Sequence, residues 1–191
     1  LGNLFFIAIF IKVLLLHKTL EDVIYEHFKN IFLEKNILHT FSETIVDGPG
    51  LRYSIYFSGC SHQCDGCHNM KSWNPLTGDL VNDEALLSIV NEINSNDLLD
   101  GITISGGDPL YNPEDLYFIL KYLKEHTNKN IWLYTGYTLE EIKECTSRSK
   151  CLEYIDTLVE GKFIKELYDP NLTFIGSGNQ RIIPKSNFIS Y

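Results

Sequence analysis

From residue 51 onward, short apolar runs alternate with longer amphipathic stretches. Residues 51–58 (LRYSIYFS) are rich in aromatic and branched side chains and follow the turn formers Asp47-Gly48-Pro49-Gly50, which predicts a strand. After Asn82-Asp83, residues 84–93 carry apolar side chains at helical spacing, and Gly101-Ile102-Thr103-Ile104-Ser105 is a short buried-strand pattern running into Gly106-Gly107-Asp108-Pro109. A helix is predicted from about Pro113 to His126, with proline in its first turn. Residues 131–135 then read as a strand, a helix starts near Thr138, and residues 155–159 form a further parallel-strand candidate. Strand and helix in alternation are the signature of an α/β fold. The count of about five to six strands falls short of a closed eight-stranded barrel, so an open or partial barrel is expected.

This pattern locates the chemistry before any particular residue is considered. In parallel α/β sheets and barrels, ligands sit beyond the carboxyl ends of the strands. The loops that follow residues 51–58, 101–105 and 131–135 should therefore converge on one pocket.

The N-terminal pattern differs. Residues 4–16 (LFFIAIFIKVLLL) are apolar except for Lys12 and too few to span a bilayer. No basic segment precedes them and no small-x-small cleavage site follows, which speaks against a secretory signal. Thr19 is placed to cap a helix with Asp22 in its first turn, and Leu20, Val23, Ile24, Phe28 and Ile31 recur at helical spacing, so an amphipathic helix is expected over residues 19–35. The chain is thus expected to divide into an N-terminal helical extension, residues 1–36, and one α/β domain, residues 37–191. Whether the extension is dispensable, packs on the domain or meets a membrane surface or partner stays open from sequence.

Composition narrows the partners. A 191-residue chain that is 44% hydrophobic can bury one full core. Its formal net charge of −9 speaks against nucleic acid, because phosphate binding draws on clustered Lys and Arg. Small molecules and proteins are the expected partners, with no membrane. The five cysteines are an odd number, and three of them share a metal-ligand spacing, which fits a reducing cytoplasmic compartment better than a disulfide framework.

Those three are Cys60, Cys64 and Cys67, a Cys-x3-Cys-x2-Cys run with no fourth cysteine nearby. A structural metal site closes all its positions, whereas three protein ligands leave one open. An iron–sulfur cube held by three thiolates would expose one iron in the same way. Zinc would need a fourth donor, for which His62, His68, Cys145 and Cys151 are available. The second motif, Ser105-Gly106-Gly107-Asp108-Pro109, combines two glycines that let backbone approach a ligand with a carboxylate able to accept from an ammonium group. By itself it is also a generic turn. His62, His68 and His126 are expected in solvent or local packing roles, Trp73 in the core, and Tyr137, Asn179 and Arg181 either in packing or bordering the pocket.

Together these motifs resemble the radical S-adenosylmethionine superfamily, whose defining cysteine loop is matched by Cys60, Cys64 and Cys67. Asp47-Gly48-Pro49-Gly50-Leu51-Arg52, the aromatic strand into Gly59-Cys60, and Cys67-His68-Asn69 are similar to its glycyl-radical-enzyme activase branch. Cys64-Asp65-Gly66-Cys67, residues 106–110, 132–137, 159–163 and 176–181 resemble the activases of anaerobic ribonucleoside-triphosphate reductases. The likeness runs from about residue 37 to about residue 184.

The resemblance implies a partial radical-SAM (β/α) barrel in which Cys60, Cys64 and Cys67 bind three irons of a [4Fe-4S] cluster. The fourth iron would chelate the amino and carboxylate groups of S-adenosylmethionine. Gly66, Cys67 and His68 would line this cofactor, and Gly106, Gly107 and Asp108 would receive its methionine end. It further implies the reductase large subunit as partner, a flavodoxin-type electron donor, and no catalytic acid or base beyond the cluster ligands. The alternatives are activation of another glycyl radical enzyme such as pyruvate formate-lyase, or a non-catalytic metal-binding module.

Overall fold

The computed structural model describes residues 36–188. The apolar run and helix expected over residues 4–35, and with them the division of the chain at residue 36, lie outside the described residues. Seven strands form one open, mixed sheet in the order β3-β1-β2-β4-β5-β6-β7. They are β1 (Asn36–Thr44), β2 (Arg52–Phe57), β3 (Asp79–Leu80), β4 (Gly101–Gly106), β5 (Asn130–Tyr134), β6 (Thr157–Glu160) and β7 (Arg181–Pro184).

The central four strands, β2-β4-β5-β6, are parallel, as the alternation predicts, while β1, β3 and β7 pair antiparallel at the flanks. Sequence patterning missed these three. The β1 segment is largely exposed along its length, β3 is two residues long, and β7 carries a single buried residue, so none shows a strong periodic signal. The expected count of five to six strands is therefore corrected to seven among the described residues, and the sheet is open and mixed instead of wholly parallel.

The helices follow local rules. In α1 (Asp83–Ser95), the Asn82 side chain caps Ala85 N, acidic Asp83 and Glu84 sit in the first turn, and Leu86, Ile89, Val90 and Ile93 form the buried stripe. In α2 (Pro113–His126), Asn112 caps Asp115 N, proline opens the first turn, and Lys124 and His126 close the last. The helix expected near Thr138 splits into α3 (Leu139–Glu144), started by a Thr138/Glu141 capping box, and α4 (Thr146–Cys151). Among the described residues, no helix is long and apolar enough to cross a membrane.

Each parallel crossover moves one place in the same direction along the sheet. Right-handed connections then put all the helices on one face. Tyr53, Ile55, Phe57, Ile102, Ile104, Ile131, Leu133 and Leu158 fill that face, with Ile93, Leu116, Ile119, Leu120 and Leu123 among the fully buried helical residues. The two-residue period of the strands sends their neighbours Arg52, Ser54, Tyr56, Thr103, Ser105, Trp132 and Tyr134 to the opposite face, which carries no helix among the described residues. There, His39 of β1 stacks on Tyr56 with ring centroids 4.6 Å apart. This polar and aromatic face leads to the site.

Candidate metal and cofactor site

Beyond the carboxyl ends of β2, β4 and β5 lies a cavity of about 380 Å³. Cys60, Cys64, Cys67, Gly66 and His68 form one wall, Ser105, Gly106 and Gly107 another, and Tyr134 to Gly136 a third. The convergence expected from strand order is thus present. Backbone bonds fasten the walls together: Gly107 N donates to Phe57 O at 2.8 Å, and Asp108 N to Gly59 O at 2.8 Å. Gly59 N in turn donates to Ser72 O at 2.7 Å.

All three thiols are free and half-buried. Burial is the main force raising the Cys60 thiol above its ordinary pKa, opposed by hydrogen bonds from the backbone at His62 and Gln63. Cys64 is likewise pushed up by burial first and then by neighbouring Cys67. Binding of a metal as thiolate would release the protons of these thiols. Among the described residues, no three His, Cys, Asp or Glu side chains gather closely enough to share a single ion. Three thiolates from one short loop on one wall of a cavity suit three corners of an iron–sulfur cube and leave its fourth corner facing the space. Trp73 also lines the cavity, and its buried indole N–H has no hydrogen-bond partner, a donor left for an acceptor-bearing occupant. The residues present fit a [4Fe-4S] cluster with a further ligand.

Asp108 departs from expectation. Gly106 and Gly107 line the cavity, but Asp108 does not, and it is fully buried. Its Oδ1 accepts from Leu110 N (2.9 Å) and Thr135 Oγ1 (2.9 Å). Its Oδ2 accepts from Gly136 N (2.9 Å) and lies 2.6 Å from His62 Nε2. These partners occupy the carboxylate's acceptor positions, leaving none for an incoming ammonium.

His62, expected in a solvent or local packing role, is bonded inside the site. His68 is exposed at the cavity wall, and His126 is remote, with Nδ1 2.8 Å from Tyr122 O one turn back in its own helix. Cys145 and Cys151 do not line the cavity, so neither is placed as a fourth ligand. Tyr137 packs edge-on against His62, with centroids 4.5 Å apart. Asn179 and Arg181 line a neighbouring cavity of about 390 Å³ that shares Gly136, Gly161 and Lys162 with the first. Arg181 Nε donates to buried Glu160 at 2.5 Å, and Glu160 also caps Leu139 N at 2.8 Å.

Sequence reasoning gave no site role to Tyr56, Tyr134 or Lys162, which all line the main cavity. The two-residue period of β2 and β5 was the signal for the tyrosines. Tyr56 OH donates to Asp47 Oδ1 at 2.7 Å, and burial is the main cause that raises both phenols' pKa values.

Comparisons with known proteins follow this geometry. Residues 46–183 match the family model described as a 4Fe-4S single cluster domain. The anaerobic ribonucleoside-triphosphate reductase-activating protein of Haemophilus influenzae is 40% identical over 151 residues, covering 77% of this chain and 96% of that protein. Its counterpart in Escherichia coli K12 is 38% identical, covering 71% and 90%, and that of Enterobacteria phage T4 is 36% identical, covering 72% and 86%. The crystal structure of QueE from Escherichia coli superposes over 57% of each chain with TM-score 0.41 and 17% identity, too distant to carry an argument. On the shared cluster domain and these near full-length relatives, the chain belongs to the family of anaerobic ribonucleoside-triphosphate reductase-activating proteins.

Proposed function

We propose that this chain is a radical S-adenosylmethionine enzyme that activates an anaerobic ribonucleoside-triphosphate reductase by placing a glycyl radical on its large subunit. The observation that carries the reading is one cavity walled on one side by Cys60, Cys64 and Cys67 and on another by Ser105, Gly106 and Gly107, at the carboxyl ends of parallel strands. When bound, the cluster supplies one electron that splits S-adenosylmethionine into methionine and a 5′-deoxyadenosyl radical, which takes a hydrogen atom from a glycine Cα of the partner.

The chain's own residues bind and orient. Cys60, Cys64 and Cys67 hold three irons, and Gly66, Cys67 and His68 line the nucleotide's side of the pocket. The Gly106-Gly107 backbone receives the methionine end, with Asp108 supporting that turn from behind. Tyr56 and Tyr134 close the wall on the polar and aromatic face of a sheet we read as a partial barrel. Hydrogen-atom transfer requires no acid or base. The setting is a cytoplasmic protein reduced by a flavodoxin-type carrier, with neither nucleic acid nor membrane as partner.

Anaerobic loading with iron and sulfide tests this reading. The expected result is a brown protein whose reduced form gives an electron paramagnetic resonance signal that changes on adding S-adenosylmethionine, with methionine released. Cys60→Ala, Cys64→Ala or Cys67→Ala should each abolish methionine release. A colourless protein, or release that survives loss of any one thiol, would overturn it. Co-expression separates the partners: a glycyl radical on the reductase supports the assignment, and one on pyruvate formate-lyase instead sinks it.

A further inference from the structure

Within the cysteine loop, one non-cysteine side chain turns inward. The His62 side chain is 4% exposed, while Ser61, Gln63, Asp65 and Gly66 around it are exposed. Its Nε2 stands 2.6 Å from Asp108 Oδ2. A carboxylate only accepts, so the imidazole donates. The Asp108 side chain is 1% exposed, and a hydrogen bond to a buried charged group is among the stronger kinds.

The same carboxylate gathers Thr135 Oγ1 and Gly136 N from the end of β5 and Leu110 N from the turn after β4. His62 therefore joins the metal loop to both neighbouring strand ends through one atom group. The space it needs is made by Gly136, where an added Cβ would lie 2.5 Å from His62 Cδ2 and 2.7 Å from Nε2. Tyr137 braces the imidazole edge-on at 4.5 Å, and the Arg148 guanidinium sits 3.7 Å from the centroid of the Tyr137 ring.

We infer that His62 is a positioning residue: through Asp108 it pins the Cys60–Cys67 loop against the ends of β4 and β5 and so sets the gap between the thiols and the Gly106-Gly107 wall. Asp108 serves this clamp and is not a ligand of the cosubstrate's ammonium. The inference rests on the proposed cluster function. A ligand bridging the two walls is sensitive to their separation, whereas cluster assembly depends on the thiols alone. Losing the clamp should weaken S-adenosylmethionine binding and spare iron content.

The test uses the full chain, loaded without oxygen, and titrates S-adenosylmethionine against the electron paramagnetic resonance signal of the reduced cluster. His62→Leu should keep wild-type iron and sulfide content yet need at least tenfold more S-adenosylmethionine for half of the spectral change. His62→Gln, which restores an N–H donor, should recover to within about threefold. Asp108→Leu, which also loses the bonds to Leu110, Thr135 and Gly136, should shift the titration at least as far as His62→Leu, and the double variant should be no worse than Asp108→Leu alone, because the His62 contact is already gone there. Gly136→Ala, which displaces the imidazole while leaving His62 and Asp108 in place, should shift the titration the same way and stands in if His62→Leu fails to fold. An unshifted titration in His62→Leu or Gly136→Ala, additive effects in the double variant, or no recovery in His62→Gln overturns the inference. If the wild type itself forms no cluster, the proposed function fails instead, so the two failures are distinguishable.

Discussion

Arg52 opens β2 at 1% exposure, on the polar and aromatic face of the sheet, and its guanidinium is held by neutral acceptors. Nε donates to Thr103 Oγ1 at 2.6 Å, Nη2 to Ile102 O at 2.7 Å and Asn130 Oδ1 at 3.0 Å, and Nη1 to Pro49 O at 3.3 Å. It also lies 5.4 Å from the centroid of the Trp132 ring. Burial is the largest influence on its pKa and lowers it, outweighing the opposing pull of Tyr134, Asp100 and Asp47. Truncation to Ala would strand the acceptors in a dry interior. Hydrogen bonds to a charged group contribute about 1.5–3 kcal/mol each. Removing the charge also removes its own desolvation cost, so the four bonds do not sum. The net expectation for Arg52→Ala is a loss of about 3–5 kcal/mol, since each buried neutral acceptor left without a donor costs about 1–3 kcal/mol and the lost stem leaves a cavity. In a domain of this size that lowers the thermal midpoint by roughly 6–20 °C. Circular dichroism melts of the metal-free protein measure it, with Arg52→Met, which keeps the stem's packing, as the companion. A fall of under about 3 °C, or roughly 1 kcal/mol, in Arg52→Ala would refute the reasoning and leave the guanidinium a mere space filler. Because Thr103 Oγ1 also donates to Asp47 O at 2.8 Å, and Val46 and Asp47 line the cavity, a destabilised Arg52→Ala should also bind S-adenosylmethionine more weakly.

Tyr53 is pushed up to about 12 mainly by burial, with its hydrogen bond to Glu92 adding to the shift. A folded-state pKa above the unfolded value of 10.0 gives stability that is complete below pH 10 and lost as pH rises toward 12, so urea midpoints should fall over that window and Tyr53→Phe should flatten the fall; an unchanged slope in the variant contradicts this. Gly106 has φ +121°, and a Cβ there would stand 2.2 Å from Phe57 O, so Gly106→Ala should lose about 3 kcal/mol or more; a wild-type urea midpoint rules this out. Arg181→Met removes a hydrogen-bond partner of buried Glu160 and should cost roughly 2 kcal/mol, part of it regained by adding Glu160→Gln; equal urea midpoints for wild type and Arg181→Met count against the pair.

The sequence alone determined the parts governed by local rules. Three thiols at fixed spacing, the Asn82-Asp83 pair and Thr138 ahead of helical runs, the prolines and glycines at turns, and the periodicities of 2 and 3.6 identified the parallel strands, the helix starts and the cysteine loop. They also pointed to the carboxyl ends of the parallel strands, where the cysteine-lined cavity lies. The flanking antiparallel strands β1, β3 and β7 were illegible because their pairing depends on a distant partner and not on a segment's own pattern. The roles of His62 and Asp108 were likewise decided only in three dimensions. A histidine between two cysteines and an aspartate after two glycines each looked like a loop residue or a ligand. They lie 46 positions apart in the chain, and only folding the cysteine loop onto the end of β4 brings them to 2.6 Å in a site too dry to leave either unpaired.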